Sequence, residues 1–87
     1  MINKLDDFVD FIIERFDTNR QDLILIEEMN ELTKELLKRR RNKNNKTQIA
    51  EEMAHTYISL RTVQKLFNIS DEELQQQINV KRSEYNV

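Results

Sequence analysis

Ile26-Glu27-Glu28-Met29-Asn30-Glu31 is echoed further along the chain by Ala50-Glu51-Glu52-Met53-Ala54-His55. Each stretch carries a double glutamate, and in each a polar residue follows the second glutamate by three positions. On an α-helix that spacing stacks Glu28 with Glu31, and Glu52 with His55, on adjacent turns of one face. Both stretches therefore read as acidic flanks of amphipathic helices. Four oxygen or nitrogen donors from two helices are enough to hold a hard divalent cation.

Working outward, the first stretch lies in a helix from about Arg20 to Arg39 or Arg41, with Leu25, Met29, Leu32 and Leu36 as its core stripe. The second lies in a helix from about Asn45 or Thr47 to Phe67. Its stripe is Ile49, Met53, Thr56, Leu60, Val63 and Phe67. Glu28, Glu31 and Glu35 fall roughly 60–120° to one side of the first stripe. Glu52, His55 and Ser59 fall to the same rotational side of the second. Two helices joined by a short loop pack antiparallel, about a two-fold axis perpendicular to both. Such an axis carries flanks of one handedness onto one edge of the pair, so the two polar stripes converge. They are level only if the first helix ends near Arg39 and the next starts near Asn44 or Asn45. A start at Thr47 would make the loop climb back by about 5 Å, one helical turn.

The flanking segments complete an all-α chain of four helices. Leu5, Val9, Ile12 and Phe16 mark a helix over residues 2–16, which Asp17-Thr18-Asn19 breaks. After a second break at Asn68-Ile69-Ser70, Ser70 and Glu73 have capping-box spacing at the start of a helix running to about Tyr85. Its stripe is thin, with Leu74, Ile78 and Tyr85, so it is predicted to be the least stable element.

Composition agrees. The 87 residues contain no Gly and no Pro, which favours helices over sheets and tight turns. The length suits one small domain, residues 1–87, with a marginal core. With 34% charged residues, such helices are expected to finish their core against another copy, as a homodimer or higher homo-oligomer. The absence of Cys rules out disulfides and thiolate metal sites and is compatible with a reducing cytoplasm. No apolar run approaches the ~20 residues that span a bilayer, and Asp6, Asp7 and Asp10 interrupt any signal-like stretch. The net charge of -2 gives no overall pull toward nucleic acid. The basic run Lys38 to Arg41 suits a helix C-terminus and has no interleaved aromatics. No membrane or nucleic-acid partner is therefore expected.

Glu27-Glu28-x-x-Glu31, about twenty residues, then Glu52-x-x-His55, resembles the MazG-like all-α nucleotide pyrophosphohydrolases, whose pattern is E-E-x-x-E followed by E-x-x-D. The surroundings "LIEEMNELTKELLK", "IAEEMAHTYISL" and "FNISDEELQQQI" are similar as well, so the resemblance covers roughly residues 20–85. It implies Mg²⁺-dependent cleavage of a nucleoside triphosphate to the monophosphate and pyrophosphate, in a dimer whose partner completes the catalytic helices; Mn²⁺ is the alternative cation read for this chain. Glu28, Glu31, Glu52 and the His55 position would be the metal ligands, and Glu27 the catalytic carboxylate that orients water. Lys38 and Lys81 are candidates for binding the substrate phosphates.

His55 departs from the family's Asp. Imidazole suits Mn²⁺, Fe²⁺ or Zn²⁺ better than Mg²⁺. His55 thus ligates a softer metal, stands aside from a weakened Mg²⁺ site, or marks a scaffold without activity. Two other readings accompany it. Glu52-x-x-His55 has the spacing of carboxylate-bridged dimetal bundles. A non-catalytic helical module that binds a protein partner would use the same scaffold.

Overall fold

The described residues form four helices, of which only the last starts on a side-chain cap. A computed structural model describes residues 3–87. Helix α1 spans Leu5–Arg15, α2 Gln21–Arg40, α3 Lys46–Leu66 and α4 Asp71–Ser83, and a 3₁₀ turn, Thr18–Arg20, precedes α2. The described residues contain no strand. Ile2, assigned to the first helix from the sequence, lies outside the described residues. That helix ends at Arg15, one residue short of Phe16. The Asp17 carboxylate then accepts from Asn19 N–H and turns the chain into α2.

Without glycine, asparagine fills the left-handed position that ends a helix. Asn42 (φ 68°), Asn68 (φ 56°) and Asn86 (φ 59°) each follow a helix end. At α3 the Asn68 N–H donates to Lys65 O and the Ile69 N–H to Gln64 O, the paired bonds of a Schellman turn. The same pair recurs after α2, from Asn42 to Arg39 and from Lys43 to Lys38. The start of α4 is the expected capping box: Ser70 Oγ accepts from Glu73 N–H, and the Glu73 carboxylate accepts from Ser70 N–H.

Helices α2 and α3 form the antiparallel hairpin, and α1 packs on α3. The loop turns where register requires, with α2 ending at Arg40 and Asn45 leading into α3. Asn45 does not cap through its side chain. It is buried, and its amide donates to Glu35 O (2.8 Å) and Glu35 Oε1 (3.0 Å), clamping the hairpin's closed end.

The seam of the hairpin keeps half of the stripe read from the sequence, Leu25, Leu32, Ile49, Thr56 and Val63, and replaces the rest with polar residues. It runs through Gln21, Leu25, Glu28, Leu32 and Glu35 on α2, and through Ile49, Glu52, Thr56, Ser59 and Val63 on α3, which are buried or half-buried. Met29 and Leu36 of the first stripe are exposed, as are Met53, Leu60 and Phe67 of the second. Both helices are rotated toward their glutamate flanks. Part of the seam's polar lining has local partners: Thr56 Oγ1 donates to Glu52 O, Thr62 Oγ1 to Ile58 O, and Glu35 is held by Asn45. The carboxylate oxygens Glu28 Oε2 and Glu52 Oε2 are left without one among the described residues.

Within one chain little is fully covered. Val9 is the one buried apolar residue among those described, and every residue of α4 is exposed. The chain exposes 7268 Å², where a compact monomer of 10.6 kDa exposes about 5,500 Å². Its radius of gyration is 15.2 Å, against about 12 Å for a compact domain of this length. Among the described residues no helix is long and apolar enough to cross a membrane.

Candidate metal centre

The rotation of the hairpin carries the second glutamate of each cluster onto the seam. Glu28 approaches α3 from α2, and the Thr56 hydroxyl lies 3.5 Å from the Glu28 carbonyl, so the two clusters are level. His55 Nδ1 lies 3.2 Å from Glu28 Oε2 and 3.6 Å from Glu52 Oε2. One ligand atom each from Glu28, Glu52 and His55 falls within 4.8 Å of the others. The Glu52-x-x-His55 spacing places two of the donors on adjacent turns of α3, and Glu28 supplies the third from across the seam.

The environment of these oxygens is unusual for glutamates. Glu28 Oε2 and Glu52 Oε2 are shielded from solvent and accept no hydrogen bond among the described residues. The 3.2 Å approach of His55 Nδ1 is therefore a close contact rather than an aligned hydrogen bond. Desolvated carboxylate oxygens are costly unless a positive charge faces them. A protonated His55 or a divalent cation would meet that need. Two carboxylates and an imidazole fit a divalent cation. They fit Mg²⁺ less completely, because it prefers oxygen donors.

The remaining sequence-predicted residues are not gathered in. The Glu31 side chain is 51% exposed, against 25% for Glu28 and 18% for Glu52, and it pairs with Lys34 at 3.2 Å. Glu27 is exposed on α2 beside the cluster. Lys38 is bonded to Glu35 at 2.9 Å and sits ten residues along the helix from Glu28, about 15 Å away. The Glu35 carboxyl is held below its usual range by Lys38 and then by Asn45. Lys81 lies on α4, paired with Glu84 at 3.2 Å and over the Tyr85 ring.

A cleft of about 540 Å³ opens against the cluster. Glu28 and His55 form part of its wall, and Phe8, Ile12, Phe16 and Ile24 give it apolar sides. Gln21, Ser59 and Thr62 add polar groups. Gln21 is nearly buried, and its amide nitrogen donates to Asp17 O at 3.1 Å. That bond fixes which end of the amide is nitrogen. Sequence reasoning missed Gln21, because a glutamine opening a helix carries no pattern of its own.

A second polar cluster was also missed. Arg61 on α3 donates to Asp6 of α1 at 2.8 Å, to Gln64 at 2.8 Å and to Asp71 at the start of α4. Gln64 also donates to Asp71 at 2.9 Å. The hydrogen bonds from Arg61 and then from Gln64 hold the Asp71 carboxyl at about 2. Asp6 is lowered by the same guanidinium, whose own value rises in turn, chiefly through Asp71. This cluster joins three helices and has no unpartnered donor directed at a ligand. Comparison with protein-family models, with curated proteins and with solved structures found no match, so the case for a function rests on the residues themselves.

Proposed function

We propose that the chain is a divalent-cation-dependent nucleotide pyrophosphohydrolase of the MazG-like kind, cleaving an NTP or dNTP to the monophosphate and pyrophosphate. The observation that carries this reading is the meeting of Glu28, Glu52 and His55 across the hairpin seam, with two solvent-shielded carboxylate oxygens facing the imidazole. A bound cation, Mg²⁺ or Mn²⁺, supplies neutralisation of phosphate oxygens and a polarised water. Glu28 and Glu52 hold it from opposite helices. Glu27, exposed one position from Glu28, would be the carboxylate that orients the attacking water. The apolar cleft beside the cluster offers a water-poor surface for the nucleoside.

The working unit in this reading is a homodimer or higher homo-oligomer. The exposed surface of the isolated chain exceeds that of a compact monomer by more than the roughly 800 Å² per partner of a standard interface. Lys38 and Lys81 would reach a triphosphate only where a partner copy brings them to the cluster. The setting is proposed to be cytoplasmic, with neither membrane nor nucleic acid as partner.

One observation favours a second reading. With Glu31 turned away, each chain presents one Glu from α2 and one Glu-x-x-His from α3, the half-site of a carboxylate-bridged dimetal bundle. That reading requires two transition metals close to a dimer axis.

The test is direct. The purified chain is incubated with canonical and modified NTPs and dNTPs, with Mg²⁺ and separately with Mn²⁺, and the products are resolved. Monophosphate and pyrophosphate in equal amounts are expected from at least one nucleotide, with chelator abolishing both. No product from any nucleotide with either metal would remove the enzymatic reading.

A further inference from the structure

The metal that a helical carboxylate site takes depends on its donors, and here the donors differ from an all-oxygen set. Glu31 would complete such a set, but it points to solvent and pairs with Lys34. The third donor in its place is His55 Nδ1, 3.2 Å from Glu28 Oε2 and 3.6 Å from Glu52 Oε2. Those two oxygens are shielded from solvent and lack hydrogen-bond partners among the described residues, and one ligand atom from each of the three residues lies within 4.8 Å of the others.

We infer that Glu28, Glu52 and His55 form a carboxylate–imidazole site selective for a borderline transition cation such as Mn²⁺, Fe²⁺ or Co²⁺ over Mg²⁺, with Glu31 outside the ligand set. The inference rests on the metal-site part of the proposed function and does not need the hydrolytic part. Mg²⁺ is small and strongly hydrated, and it gains little by exchanging a water for an imidazole. Transition cations gain more from nitrogen, and the gain rises from Mn²⁺ to Co²⁺. His55 is also placed to act without any rearrangement of the backbone. It sits one turn from Glu52 on the same helix face, and its Nδ1 already faces both carboxylates.

The experiment uses the full chain without nucleotide. Mg²⁺, Mn²⁺ and Co²⁺ are titrated separately by calorimetry, and the visible spectrum of the Co²⁺ form is recorded. The variants are His55→Asp, His55→Gln and Glu31→Gln, each checked by circular dichroism. The wild-type chain is expected to bind Mn²⁺ and Co²⁺ at least about tenfold more tightly than Mg²⁺. His55→Asp is expected to shrink that preference at least about tenfold and to shift the Co²⁺ bands. His55→Gln should weaken Co²⁺ binding, and Glu31→Gln should leave all three affinities within about twofold of wild type. An unchanged metal preference in His55→Asp would overturn the inference. So would a collapse of binding in Glu31→Gln, or no binding of any of the three ions. Because no nucleotide is present, a chain that binds metal selectively but hydrolyses nothing would refute the proposed enzyme and leave this inference standing.

Discussion

His55 decides more than any other residue, because its Nδ1 faces the shielded Oε2 atoms of Glu28 and Glu52, which have no hydrogen-bond partner among the described residues. Glu28 and Glu52 were legible as a pair from handedness and register alone. Their convergence needed only that the hairpin be antiparallel and turn near Asn45, and both hold. Glu31 was less legible. Spacing put it one turn from Glu28, but a lysine three positions on draws it outward, and the Glu31–Lys34 spacing was readable beforehand. A consequence follows for turnover. Glu28→Gln and Glu52→Gln each remove a proposed ligand and are expected to lower nucleotide cleavage by on the order of 100-fold or more, beyond the usual cost of a supporting residue. Glu31→Gln is expected to stay within about threefold. Steady-state rates at saturating metal check both, and equal losses for Glu31 and Glu28 would contradict the placement.

At the scale of elements, helix ends were more readable than helix faces. The breaks at Asp17 and Ser70 and the capping box, worth about 1 kcal/mol, follow from residue types that compete locally for backbone groups. The core stripes were read about half a helical residue step off, roughly 50°: Leu25, Leu32, Ile49, Thr56 and Val63 do lie on the seam, but periodicity ranks Met29 and Leu60 as core before polar residues such as Gln21 and Ser59. Nothing local announces the Arg61 cluster, since Asp6 lies 55 residues away in sequence. That cluster ties α4 to the rest of the chain through its first residue. The carboxyl of Asp71 is held at about 2 when folded, below its ordinary value of 3.8. A carboxyl lowered on folding contributes stability above its ordinary value, and that contribution is lost as pH falls through the folded value. The contribution of Asp71 is therefore expected to be complete above about pH 5 and to fade between about pH 4 and pH 2. Thermal midpoints followed over that window should fall more steeply for the wild-type chain than for Asp71→Asn. Parallel curves would show that the contact does not anchor α4.

The whole molecule looks unfinished as a single chain. Every helix leaves large apolar residues exposed, among them Phe8 and Phe11 of α1, Met29 and Leu36 of α2, Met53 and Leu60 of α3, and Leu74 and Ile78 of α4. An all-helical chain of four helices was legible from the absence of Gly and Pro and from the caps. Its incompleteness was legible only as a ratio of length to charge. Rotation of the hairpin leaves Met29, Leu36, Met53, Leu60 and Phe67 exposed, and the same rotation brings Glu28, Glu52 and His55 together. Function at this scale thus comes back to one point on the seam. The most direct measurement is anomalous diffraction from crystals grown with Mn²⁺ and a non-hydrolysable nucleoside triphosphate. The expected result is one Mn²⁺ peak per chain, about 2–2.3 Å from carboxylate oxygens of Glu28 and Glu52 and from His55 Nδ1, with phosphate oxygens completing its shell. Ordered nucleotide with no anomalous peak at these residues, His55 still paired with the two glutamates, would contradict the metal centre and the hydrolytic chemistry built on it.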